Sequence, residues 1–224
     1  MSEQKKKNWK KIVHAPLFMP LVCITVVLLV NILRTPDFFY ISIKNGVLYG
    51  YLIDIINRGS ELVILAVGMT LVTAASGGQD ISVGAVMAVA AAICCQILSG
   101  GQVSTSTLAA PIILAAIAGI AVAGICGAFN GILVAKLGIQ PMVATLILFT
   151  AGRGIAQLIT LGQITYVRVD SYKILGDHIA GCPIPTPIFV AIAVVIIVQL
   201  ILKKTALGLY VESVGINGSA SRLV

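Results

Sequence analysis

Apolar residues run along this chain in long, nearly unbroken stretches, and six of these approach or reach the length that spans a bilayer. A helix that crosses the hydrocarbon needs about 20 residues. The candidate stretches are residues 15–33, 60–76, 84–99, 108–130, 141–162 and 187–202. No alternation of period two marks a strand, and Gly, Ala and Ser recur inside the runs, which suits closely packed helices. On the fourth run, Ala109, Ala116, Gly119, Ala123 and Gly127 make small-residue ridges at helical spacing. Ser60, just ahead of Glu61, reads as an N-cap for the second helix. The pattern predicts an all-α, polytopic transmembrane helix bundle of about six spans.

One stretch breaks the pattern. Ser76-Gly77-Gly78-Gln79-Asp80-Ile81-Ser82-Val83-Gly84-Ala85 separates the apolar run Leu62–Ala75 from the run Val86–Leu98. Irregular polar backbone at membrane depth survives only where it is buried in protein or lines a cavity. Gly77, Gly78, Gln79, Asp80, Ser82 and Gly84 are therefore candidates for a pathway or a functional helix break. Asp80 is the only carboxylate well inside the apolar regions, where a charge costs roughly 2.5–3.5 kcal/mol on insertion scales. It either lies on a polar pathway or caps the third helix by accepting backbone N–H bonds with help from Ser82. The two readings are compatible. Arg153 is the only base inside a span, flanked by Gly152 and Gly154 and followed at i+4 by Gln157. It reads as polar support for the bundle together with Gln157, or as a solute contact. An ion pair with Asp80 is a further option that one sequence leaves open.

Composition turns the pattern into a class. The chain is 58% hydrophobic and 10% charged, against about 25% charged in soluble domains, so most of it faces lipid or other membrane helices. The net charge of +7 does not imply nucleic acid, because the basic residues cluster at the ends of apolar runs as orientation signals do. With the N-terminus inside and six spans threaded, Lys5, Lys6, Lys7, Lys10, Lys11, Lys136, Lys203, Lys204 and Arg222 fall on the cytoplasmic side. Arg34, Lys44, Arg58, Arg168 and Lys173 fall outside, nine against five. Both termini are then cytoplasmic. Residues 1–14 form a basic N-terminus, 15–204 the transmembrane domain, and 205–224 a cytoplasmic segment. The run Leu17–Leu33 is long for a signal-peptide core and reads as a retained first span. The outer segments 34–59 and 163–186 carry Phe38, Phe39, Tyr40, Tyr49, Tyr51, Tyr166 and Tyr172, either as interfacial anchors or as contacts for an external partner.

Candidate chemistry is sparse. The five cysteines form no CxxC and no Cys/His cluster, so no metal site is expected, and Cys94-Cys95 read as small helix-packing residues. His14 and His178 are isolated. There is no GxSxG, HExxH or GxxxxGK[ST]; no catalytic residue or cofactor is expected, and ATP is not hydrolysed by this chain. After Lys203-Lys204, apolarity falls and small residues dominate. That segment is either a polar tail or a short helix that docks in a partner's groove.

Four ordered motifs carry a resemblance. Gly68-Met69-Thr70, Val72, Gly77-Gly78, Asp80 and Ser82-Val83-Gly84-Ala85 form the first. Asn130-Gly131-Ile132-Leu133-Val134-Ala135 form the second, and Pro141-Met142-Val143-Ala144-Thr145-Leu146 with Arg153-Gly154 the third. Thr205, Gly208, Gly215, Asn217 and Ala220 form the fourth. The chain resembles the permease subunits of bacterial ABC sugar importers of the ribose/galactose/xylose group, closest to the galactofuranose type. The resemblance implies an inner-membrane transport subunit for a monosaccharide. It would work with a cytoplasmic ABC ATPase that uses the ATP, a periplasmic sugar-binding protein, and a second permease copy or a sister permease. It also implies that Gly208, Glu212, Gly215, Asn217 and Ala220 belong to the segment that couples to the ATPase. Gln79 departs from the family's usual aliphatic residue, Leu209 from a frequent Arg, and Ser221-Arg222-Leu223-Val224 from a small-residue continuation. The motifs cover the N-terminal two-thirds of such a permease, which implies a truncated form. The other readings are a secondary transporter or channel that couples ions through Asp80, and a non-transporting remnant or assembly factor.

Overall fold

A computed structural model describes residues 17–44, 46–179, 181–218 and 221. The expected basic N-terminus, residues 1–14, lies outside the described residues, as do Ala220 and Arg222. The chain divides into two compact units, up to Ile56 and from Asn57 onward.

In the first unit, α1 (Phe18–Arg34) exposes its apolar side chains along its whole length and carries Arg34 in its last turn. A short hairpin follows. β1 (Ser42–Lys44) runs antiparallel to β2 (Val47–Tyr49), with Ser42 opposite Tyr49, and Gly46 takes φ +79° between them. Phe38 is buried, edge-on to Phe39 at 5.1 Å and stacked on Tyr51 at 6.4 Å between ring centroids. Phe38 therefore packs into its own unit rather than serving as an interfacial anchor, while Phe39 and Tyr40 remain exposed.

The helix α2 (Tyr51–Ser76) starts well ahead of the expected position. Ser60 is not its N-cap: it lies mid-helix, and its hydroxyl donates to the Asn57 carbonyl at 2.5 Å. Asp54, Asn57 and Arg58 interrupt the apolar run without breaking the helix, so hydropathy alone places the start too late.

The core of the second unit is built on α3 (Val83–Ser99), which packs against both α4 (Ile112–Ala135) and α5 (Pro141–Ile159). Small residues make the seams. Ala85, Val89 and Ala92 are buried on α3, Ala115 and Gly119 on α4, and Ala144 and Gly152 on α5. A Cβ on Gly119 would stand 2.6 Å from Cys94 Sγ, and one on Gly152 would stand 3.1 Å from the Ala85 methyl. Such close approach is how helices associate where lipid removes the hydrophobic drive between them. The Cys94 thiol also donates to the Ala115 carbonyl at 3.1 Å. Of the expected small-residue ridge, only Gly119 is buried at this seam. Ala116 and Gly127 are exposed, Ala123 is half-buried, and Ala109 precedes the helix, where its N–H donates to the Leu98 carbonyl at 2.9 Å.

The seam yields a double-mutant test. Gly119→Ala is expected to destabilise the bundle by about 1–3 kcal/mol through overpacking. Cys94→Ala in the same chain should recover most of that loss, because it removes the atom that the new methyl meets. Thermal melting in detergent of the two single variants and the double variant measures the coupling; additive losses would count against the seam.

At the other end of α3, Gln96 Nε2 donates to the Ile159 carbonyl at 2.9 Å. There β3 (Ser104–Thr105) pairs in parallel with β4 (Tyr166–Val167). Both strand pairs escape an alternation test because they are only two or three residues long. A one-turn α6 (Asp170–Lys173) leads to α7 (Thr186–Lys204) and α8 (Ala206–Asn217). Among the described residues, α2, α4, α5 and α7 are long and apolar enough to cross a membrane. The helices α1 and α3 have 17 residues each, about 25 Å at 1.5 Å per residue. The fold is thus an all-α polytopic bundle, with four long helices and two shorter apolar ones at the six expected places. The C-terminal segment is helical from Ala206 to Asn217 rather than a frayed tail.

Candidate functional site: a cavity at the helix break

The polar break forms because α2 ends in a left-handed glycine. Gly77 takes φ +66° and its N–H donates to the Thr73 carbonyl at 2.9 Å, a conformation that costs glycine least. Ser76 Oγ donates to the Val72 carbonyl at 2.8 Å and accepts the Gly78 N–H at 3.2 Å. Gly78 then sits flat on the proline that opens α5. A Cβ there would stand 2.6 Å from Pro141 Cβ and 2.7 Å from its Cγ. Pro141 itself suits the first helical turn, where its missing N–H leaves no partner wanting.

A hydrogen-bonded chain ties the break to two helices. Ser82, 1% exposed, donates from both its backbone N–H and its hydroxyl to Asp80 Oδ1, at 2.7 and 2.6 Å. Asn130 Nδ2, on α4, donates to Ser82 Oγ at 3.1 Å. Thr145 Oγ1, on α5, accepts the Ile81 N–H at 3.3 Å and donates to the Met142 carbonyl at 3.2 Å. Asp80 does not bond the first-turn N–H groups of α3 as a helix cap would. It forms an i to i+2 turn that fixes the residue just ahead of that helix, and Ser82, at the cap position, makes no side-chain cap bond either.

Of these residues, Asp80, Asn130 and Thr145 line a cavity of about 910 Å³. Val72 of α2, Gln79 and Asp80 of the break, Asn130 of α4, Thr145 of α5 and Val214 of α8 all contribute to its wall. The helix α8 reaches it by packing two glycines tightly. Gly208 is buried against the Leu202 backbone, and a Cβ on Gly215 would collide with the Ala74 carbonyl. Glu212 and Asn217 are exposed on α8, and Gly84 is exposed with open space beside it.

Arg153 and Gln157 lie elsewhere. Both are exposed on α5, and the Arg153 guanidinium sits 4.2 Å over the Phe149 ring, a cation–π contact. Among the described residues Arg153 makes no ion pair with Asp80. Asn130 and Thr145 were read only as motif members. Asn130 had a local signal as the one polar residue closing an apolar run, whereas Thr145 shares its run with Thr150, Arg153, Gln157 and Thr160 and had none.

The buried hydroxyl is the joint of this arrangement. Ser82→Ala strands the Asn130 amide donor and removes one bond to Asp80, an expected loss of about 1–3 kcal/mol. Far-UV circular dichroism melting checks it, with Ser106→Ala, exposed in a loop, as the neutral control.

A bundle of apolar helices, four of them long enough to cross a membrane, whose polar break opens on a cavity defines a multi-pass membrane protein. Residues 51–224 match the family described as branched-chain amino acid transport system/permease component, and the chain belongs to that family. It is 44% identical over 208 residues to the galactofuranose transporter permease protein of Escherichia coli strain K12, across 92% of this chain and 58% of that protein. It is 36% identical to a fructose import permease protein of Bifidobacterium longum, across 96% of this chain and 59% of the relative. Identity to the ribose import permease protein of Escherichia coli K12 is 31%, across 91% and 59%. The chain therefore spans a little under three fifths of the length of these relatives. No solved structure matches it.

Proposed function

We propose that this chain is a permease subunit of an ATP-driven importer for a monosaccharide, galactofuranose or a similar sugar, in the bacterial inner membrane. The observation that carries the reading is the 44% identity to a galactofuranose permease over almost all of the chain. The cavity supports it. Its wall joins the break to α8, the segment that the motifs liken to an ATPase-coupling element. Each element reaches the cavity by the end that the charge count assigns to the cytoplasm: the end of α2, the end of α4, the start of α5, and α8. In this reading both termini are cytoplasmic, 15–204 is the transmembrane domain and 205–224 the coupling segment. The chain holds no cofactor, and ATP is hydrolysed by a separate cytoplasmic ABC ATPase. A periplasmic sugar-binding protein delivers the solute, and a second permease copy or a sister permease completes the pathway. Arg153 and Gln157 give polar support to that assembly from the exposed face of α5.

The test is sugar uptake and permease-stimulated ATPase activity in proteoliposomes that hold the chain, the ATPase and the binding protein. ATP-dependent uptake is expected. Asn217→Arg, on exposed α8, should lower the stimulation at least about tenfold, a loss of roughly 1.4 kcal/mol of coupling. Unchanged coupling would sink the assignment of α8. A second reading, ion-coupled carriage, rests on Asp80, the one carboxylate among the described residues of the cavity wall. Uptake that needs an ion gradient and no ATPase, and that is lost in Asp80→Asn, would favour it.

A further inference from the structure

Three of the six polar side chains described on the cavity wall are fully engaged. The Ser76 and Thr145 hydroxyls bond backbone on both sides, as described, and the Ser221 hydroxyl lies 3.4 Å from that of Ser213. Three groups remain. Asn130 is only 7% exposed, and while its amide nitrogen donates to Ser82, its Oδ1 meets no donor among the described residues. Asp80 receives both Ser82 bonds on Oδ1, and no hydrogen bond from the described residues reaches Oδ2. The Gln79 side chain is exposed and makes no hydrogen bond among the described residues. A buried acceptor without a donor is rare in folded proteins and asks for an explanation. Here it belongs to a side chain that lines a cavity whose volume lies within the range of small-molecule sites, about 300–1,000 Å³.

The chemistry of the three groups narrows the occupant. Asn130 Oδ1 and Asp80 Oδ2 can only accept while Asp80 is ionised, and the Gln79 amide both donates and accepts. The complement is a molecule with several hydroxyl donors. An anionic solute is disfavoured, because the described residues of the wall include a carboxylate and no Lys or Arg. A tightly held metal ion is disfavoured too, because the described residues contain no group of three His, Cys, Asp or Glu that could hold one.

We propose that Gln79, Asp80 and Asn130 form a hydroxyl-reading subsite in this cavity for a neutral polyol of monosaccharide size. One hydroxyl donates to Asn130 Oδ1 and another to Asp80 Oδ2, and Gln79 donates to a third oxygen. The inference rests on the sugar-permease reading for its substrate class and adds where, and by which atoms, the sugar is held. Gln79 becomes a specificity residue of this chain.

The test is equilibrium binding of radiolabelled D-galactose, D-fructose and D-ribose to the full chain in lipid nanodiscs, without ATPase or binding protein. At least one sugar is expected to bind. Asn130→Ala and Gln79→Ala should each weaken it by roughly tenfold, and Gln79→Ala should do so with an unchanged melting temperature, since that side chain holds nothing in place. The sharper readout uses single-deoxy analogues of the sugar that binds. Removing the hydroxyl that Asn130 reads should weaken binding to the parent chain and leave binding to Asn130→Ala unaffected. Equal losses in both chains, unchanged affinity in both variants, no binding of any sugar, or binding of sodium alone would each overturn the subsite. ATP-driven uptake with unaltered affinity in the variants overturns the subsite and spares the importer reading. Sugar binding without ATP-driven uptake does the reverse.

Discussion

Gly78→Val is expected to destabilise the protein by about 3 kcal/mol, at the upper end of what overpacking costs. The reason is local and rigid. The new Cβ would fall 2.6 Å from Pro141 Cβ and 2.7 Å from Cγ. A proline ring on the first turn of a helix cannot swing aside as a flexible side chain would, because its atoms are tied to the backbone. Either the break or the start of α5 must move. Such a shift also strains the Ile81–Thr145 bond and the Ser82–Asp80 turn beside it. The neighbouring glycine supplies the contrast. Gly77 has a positive φ but open space around its Cβ position, so Gly77→Ala should lose only about 1–2 kcal/mol of backbone strain. Denaturation of both variants in mixed detergent micelles ranks them. A Gly78→Val chain as stable as Gly77→Ala would show that the break does not rest on Pro141.

The second large effect is expected at Gly215. A Cβ there would collide with the Ala74 carbonyl, so even alanine displaces α8, and leucine cannot be seated at all. Gly208 is the only buried residue of α8, so displacing its far end should leave the rest of the bundle intact. Gly215→Leu should therefore melt near the parent temperature while removing the Val214 wall of the cavity. Maleimide labelling of Val214→Cys, in a chain otherwise free of cysteine, should quicken severalfold when Gly215→Leu is added. ATP-driven uptake in the reconstituted importer should fall at least about tenfold, or 1.4 kcal/mol. Ile216→Ala, at a side chain 87% exposed, is the control that should change neither. Unaltered labelling would mean that α8 is not held at Ala74.

Much of this architecture could be read from the chain, because lipid-facing helices announce themselves by composition. The six apolar runs each became a helix. Their ends were less legible, since hydropathy falls before a helix does wherever it leaves the hydrocarbon; the polar Asp54, Asn57 and Arg58 hid the first turns of α2 in this way. The break was legible because Asp80 is improbable inside a span and stands with Ser76, Gln79 and Ser82 beside a Gly77-Gly78 pair. Its detailed geometry was not, because the partners that fix it come from distant segments: Pro141 against Gly78, Thr145 against Ile81, and Asn130 against Ser82. For Arg153 the local signal was available on both sides. Gln157 at i+4 drew attention, yet the ring at i−4, Phe149, is the group it stacks on. The return of α8 to the end of α2 leaves no periodic trace in the sequence. It depends on two glycines whose missing side chains let backbone meet backbone.

That α8 supplies part of the cavity wall has a thermodynamic consequence. Anything that fills the space and touches Val214 changes the free energy needed to lift α8 from Ala74. By reciprocity, whatever grips α8 from outside must change the affinity of the space for its occupant by the same factor. Emptying the chamber and engaging the helix are then one equilibrium seen from two sides, and the factor measured from either side must agree.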